Sequence, residues 1–148
     1  MMGNLKKICS TTLGLVPVLL LTAACGTTPP APGEVPIDVD PSGLEYSNKW
    51  RIEVSEGARS TGEIVFEVTP QDGSGQLVTV PIARGTRENN VARAIKDVFE
   101  QALDDRRYHV ERDDGEDVLV KKRRGAEVFS LRVISSTVEA VRLYIQKE

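Results

Sequence analysis

Thiols are nearly missing from this chain. Its two cysteines, Cys9 and Cys25, both lie near the N-terminus. Everything after Cys25 therefore lacks the means for a disulfide scaffold, a Cys-rich zinc site or a cysteine nucleophile. Aromatic residues make up 5%, too few for a nucleic-acid reader built on stacked bases. The single histidine, His109, cannot assemble the two- or three-histidine sets of zinc or non-haem iron. Neither charge sign dominates: 19 basic against 22 acidic side chains leave −3, which argues against holding a nucleic-acid backbone by charge. No charge occurs from Ile8 to Cys25, where the densest apolar part is Leu13–Leu21, interrupted by Pro17. That core falls short of the ~20 apolar residues that span a bilayer. What is present is ordinary: 148 residues, 40% hydrophobic and 28% charged, the composition of one globular domain.

The N-terminus reads as an address. Lys6 and Lys7 supply a short positive region, the apolar core follows, and the small residues Thr22-Ala23-Ala24 lead into Cys25. This order resembles a bacterial lipoprotein signal peptide over residues 1–24, with Leu21-Thr22-Ala23-Ala24-Cys25 as its lipobox; Thr22 stands where such boxes usually carry leucine. An uncleaved signal anchor, or a secretory peptide cut after Ala24, are the other readings of the segment. The lipoprotein resemblance implies a diacylglyceryl thioether on Cys25, cleavage before it, and acylation (palmitate or similar) of the new amino group. No other cofactor is expected. Each buried methylene contributes about 0.8 kcal/mol, so two or three chains hold a small protein on a membrane. Loss of Lys6 and Lys7 with the leader takes the formal charge from −3 to −5. Gly26 stands where lipoproteins retained in the inner membrane resemble one another in carrying Asp. The resemblance thus implies the periplasmic face of the outer membrane in a Gram-negative host, or the outer face of the cell membrane in a Gram-positive one.

A tether comes next, residues 25–43 counting the lipidated cysteine. Gly26 to Gly43 holds five of the eight prolines, which favour an extended chain of ~3.1 Å per residue and a reach of about 50 Å. No basic residue flanks these prolines, so a spacer is favoured over a proline-rich ligand.

The body, residues 44–148, changes period twice. Trp50, Ile52 and Val54, then Ile64, Phe66 and Val68, then Val78, Val80 and Ile82 alternate with polar neighbours, as strands with one buried face do. Pro81 falls on the outward face of the third run and predicts an edge position. Gln71-Asp72-Gly73-Ser74-Gly75 predicts a hairpin loop. After Gly85, with Thr86 as the expected N-cap, Val91, Ala94, Ile95, Val98, Phe99, Ala102 and Leu103 recur at helical spacing. Alternation returns at Tyr108 and Val110, at Val118 and Val120, at Phe129–Val133 and at Val141–Ile145. Asp114-Gly115 predicts a two-residue turn with positive φ at both positions, and Ser135-Ser136 is expected to start the last hairpin. The order βββ-α-ββββ with short links predicts an α+β fold: a mostly antiparallel sheet of about seven strands carrying one amphipathic helix.

Within the body, Leu77 to Ser130 combines Val78-Thr79-Val80-Pro81-Ile82, Gly85-Thr86, Val91-Ala92-Arg93-Ala94-Ile95, a strand pair and Gly125. This is similar to a β-α-β-β module of phage tail and bacterial surface proteins. It covers about a third of the chain and implies a packing or assembly unit without catalytic residues.

Reactive constellations are sparse. His109 alternates outward, and no Gly-x-Ser-x-Gly elbow accompanies the scattered serines. Asp113-Asp114-Gly115-Glu116-Asp117 departs from EF-hand spacing, so no metal site is expected. Glu111, Asp113 and Glu116 lack the aromatics that line sugar clefts. Gly73-Ser74-Gly75 precedes a strand rather than a helix, unlike a phosphate loop. One contrast stands out. The strand from Asp117 to Arg123 joins an acidic tip, Asp113–Asp117, to a basic tip, Lys121-Lys122-Arg123-Arg124. Some 20 Å separates them at ~3.3 Å per residue, beyond the Debye length of about 8 Å, so separate fields are expected. Solubility and edge protection account for such tips; docking to lipopolysaccharide, peptidoglycan or an acidic protein is the sharper reading.

The sequence thus points to a membrane-anchored, non-enzymatic lipoprotein of the bacterial envelope. Its body would bind or assemble with an envelope protein or glycan, and not with nucleic acid. A periplasmic inhibitor or immunity protein against a hydrolase or toxin fits the same parts. An envelope hydrolase with an unfamiliar site stays open beside both.

Overall fold

Apolar alternation becomes seven strands in the computed structural model, which describes residues 43–148. The leader 1–24, Cys25 and the tether up to residue 42 lie outside the described residues. The order is β1 (Lys49–Ser55), β2 (Gly62–Pro70), β3 (Gln76–Ile82), α1 (Glu88–Ala102), β4 (Tyr108–Asp113), β5 (Asp117–Lys122), β6 (Phe129–Ser136) and β7 (Arg142–Lys147). No helix among the described residues is long and apolar enough to cross a membrane.

Every strand pair is antiparallel, but the strands form two sheets, not the one expected: β4-β5-β1-β7 and β3-β2-β6. Chain neighbours β1 and β2 separate, and so do β6 and β7. Corners make the switch. Glu56, just after β1, has φ 66°, and Ala140, just before β7, has φ 74°, left-handed values that turn a strand out of its sheet. The two corners hold each other: the Arg59 amide donates to the Glu139 carbonyl at 3.0 Å, and the Glu139 amide to Ser60 Oγ at 2.9 Å. Ser135 and Ser136 therefore do not begin a hairpin. They continue β6 along β2, opposite Val65 and Ile64, past an irregularity that leaves Ile134 exposed. Pro81 lies exposed on β3, an edge strand as expected.

Two local expectations shift by a residue. Asp114 and Gly115 do take positive φ, 43° and 81°, but pairing resumes only at Asp113 opposite Asp117, so three residues span the turn. The N-cap of α1 is Arg87, without a side-chain cap; the Thr86 hydroxyl donates instead to the Ala83 carbonyl, 2.7 Å away.

The apolar stripe of α1 buries Val91, Ala92, Ile95 and Phe99, and the helix packs on β3 and on β1, β4 and β5. One core results, built from the inward faces of both sheets and the helix. Phe66 meets Phe99 edge to face with centroids 5.1 Å apart, and Tyr108 meets Phe129 likewise at 5.1 Å, each worth about 0.5–1.5 kcal/mol beyond its buried area. The segment Leu77–Ser130 straddles this core, with β3 in one sheet and β4–β5 in the other.

Candidate functional site

Polar alternation along β1, β4 and β5 sends charge to the outer face of the four-stranded sheet. There Arg51 bonds Asp117 and Glu148 and reaches Asp113 at 3.2 Å. Lys49 shares Glu148, and Lys121 bonds Glu111, whose other oxygen lies 3.1 Å from His109 Nε2. Leu119, opposite both Arg51 and Glu111, is only 3% exposed although it points away from the main core. The stems of its charged neighbours screen it from water. Hydrogen bonds that Arg51 donates to Glu148 and then Asp117 raise its pKa further above the ordinary value. The bond from Lys121, with a smaller one from His109, holds Glu111 below the usual carboxylate range. Lys49 and then Arg51 do the same for Glu148.

The expected separation of charged ends is thus only partly realised. Asp113 and Asp117 of the acidic tip are tied down by Arg51, and Lys121 of the basic tip by Glu111. The remaining basic residues behave differently. Lys122 Nζ donates to the Ala126 carbonyl at 2.8 Å, and Arg123 Nε to the Tyr108 carbonyl at 3.1 Å. Both uses leave further N–H donors on each group. Arg124 is exposed and makes no side-chain hydrogen bond or ion pair among the described residues.

Pairing of β1 with β5 places Lys49 opposite Lys121, and the Lys122 amide donates to the Asn48 carbonyl at 2.9 Å. Asn48 and Lys49 therefore join Lys121, Lys122, Arg123 and Arg124 around one open depression of about 310 Å³. All four residues of the basic tip line it. Lys49 and Asn48 were not legible as members, because 71 residues separate Lys49 from Lys121 and only strand register brings them together.

Polar groups gather elsewhere too, and a concavity of about 390 Å³ is lined by Arg93, Lys96, Asp97, Glu111 and Arg112. A recess of about 210 Å³ between the end of α1 and β4 is bordered by Glu100, Asp105, His109 and Arg123 among apolar residues; the His109 imidazole is engaged with Glu111. On β2, Glu67 is 1% exposed and bonds Arg132 across the strand pair through Oε2, while its Oε1 has no hydrogen-bond partner among the described residues. Sequence reading missed this pair, since Glu67 occupies a formally outward position. Among the described residues, no three His, Cys, Asp or Glu side chains gather as a metal site. Comparison with protein-family models and with curated proteins finds no match to this chain.

Proposed function

We propose that the protein is a lipoprotein of the bacterial envelope, anchored through Cys25, whose body is a non-enzymatic binding module docking anionic material through the basic depression. The gathering of Lys49 and Lys121–Arg124 around one open concavity, at the end where the chain enters from its N-terminal segment, carries this reading. The partner is a component of the envelope, reached by a domain that its tether keeps near the membrane surface.

Fractionation of cells expressing Cys25→Ser tests the anchor: the variant should move to the soluble fraction, and unchanged membrane retention contradicts the lipobox. In the same background, sedimentation with envelope fragments at low salt tests the depression. Replacing Lys122, Arg123 and Arg124 by Gln should weaken that association while leaving the circular dichroism unchanged; unaltered binding rejects the site. The inhibitor reading draws on the exposed Asp114 and Glu116 beside Gly115. It predicts instead that a stoichiometric basic hydrolase is recovered from detergent-solubilised envelopes.

A further inference from the structure

Resting on the anchored reading above, we infer that the anionic partner of the basic depression is the phospholipid headgroup layer of the membrane that holds Cys25. Position is the first argument. Asn48 lines the depression, and only four residues separate it from Gly43, the first described residue. The described chain thus enters the body on the end that carries the cations. Ser47 sits beside them, exchanging backbone bonds with Phe129 at 2.9 and 3.0 Å, which fixes this entry against β6.

Strength is the second argument. Lys122, Arg123 and Arg124 retain donors that no acidic side chain among the described residues occupies. Near an anionic surface each contributes about a fivefold gain in local concentration, so three give roughly a hundredfold. That is weak for capturing a free partner from solution. It is ample for a domain already confined by a tether of about 50 Å, where effective concentrations are millimolar.

Shape is the third. No aromatic side chain lines the depression to stack a sugar ring, and it is open rather than recessed. Charge without shape suits a fluid layer of phosphates better than a glycan. The opposite end of β5 carries Asp113, Asp114, Glu116 and Asp117, of which Asp114 and Glu116 have no ion partner among the described residues. An anionic surface repels that end, so attraction and repulsion orient the domain with β5 pointing away from the membrane.

The test uses the full lipidated chain in vesicles of phosphatidylcholine alone or mixed with phosphatidylglycerol. Acylation of Lys122 by a water-soluble reagent is followed by mass spectrometry. With phosphatidylglycerol, labelling should slow by at least about tenfold, recover at about 1 M salt where screening shortens to about 3 Å, and speed up about fivefold in Arg124→Gln, a side chain with no hydrogen bond or ion pair among the described residues. Equal protection by inorganic phosphate would make this a small-anion site and overturn the inference. So would full labelling of a protein that still sediments with the vesicles, and in that case the anchor stands while the docking fails. Protection by an acidic protein from the envelope, but not by phosphatidylglycerol, overturns it in favour of a protein partner. If residue 25 proves unmodified in the native protein, anchor and inference fall together.

Discussion

The indole N–H of Trp50 donates to the carbonyl of Phe129, 2.8 Å away, and so joins the four-stranded sheet to the three-stranded one. Phe129 begins β6, and its carbonyl also accepts from the Ser47 amide at 2.9 Å. Trp50 is 5% exposed and Phe129 fully buried. Trp50→Phe removes the donor without stranding the acceptor, so the cost is one buried hydrogen bond plus a small cavity, about 2 kcal/mol. Urea unfolding followed by circular dichroism should show that loss. A change below about 0.5 kcal/mol, the usual size of a surface effect, would mean that the bond does not hold the sheets together.

Glu67 and Arg132 make a second, more one-sided relationship. The carboxylate is buried and one oxygen is already without a hydrogen-bond partner among the described residues, while the Arg132 side chain is 43% exposed. Arg132→Met leaves a buried charge uncompensated and should cost about 2–3 kcal/mol. Adding Glu67→Gln to it should recover much of the loss, because the amide carries no charge to desolvate. A double variant as unstable as the single one would place the cost in packing instead.

Acid sensitivity follows from the charged sheet face. Glu111 and Glu148 both have folded pKa values below their ordinary ones. The folded state then binds protons less readily than the unfolded chain, so this stabilisation is complete above the unfolded carboxylate range. It drains away as pH falls through the lower folded values. Stability should be flat between about pH 6 and 8 and decline below about pH 4.5. Lys121→Met should raise the Glu111 pKa and shallow that decline, as read by NMR titration of the Glu111 side chain. Glu111 is partly exposed, and salt should reduce the effect. An unmoved Glu111 titration in Lys121→Met would show that the pair is not formed in solution.

Strand positions and the helix were legible because burial on one face imposes a period, and residues such as Ile64, Phe66 and Val68 carry it in order. Period is silent about which strands pair. The division into two sheets depends on Glu56 and Ala140, whose left-handed backbones bear no glycine to announce them. Thr86 has the side chain of an N-cap, yet its hydroxyl donates to the Ala83 carbonyl. At the candidate site, Lys121–Arg124 were visible as a charge run. Their reduction to Lys122, Arg123 and Arg124 as groups without an acidic partner among the described residues follows from Glu111 bonding Lys121 across the β4–β5 pair, a tertiary fact. Arg51, the centre of the charged sheet face, lies far along the chain from Asp113, Asp117 and Glu148, so no local pattern marks it.

The account rests on covalent lipid at one residue, and intact-mass analysis of the protein from its native cell addresses this most directly. A mature chain beginning at Cys25, with its thiol carrying a diacylglyceryl group, is the predicted result. A chain that retains residues 1–24, or one that starts at Cys25 with a free thiol, would contradict it.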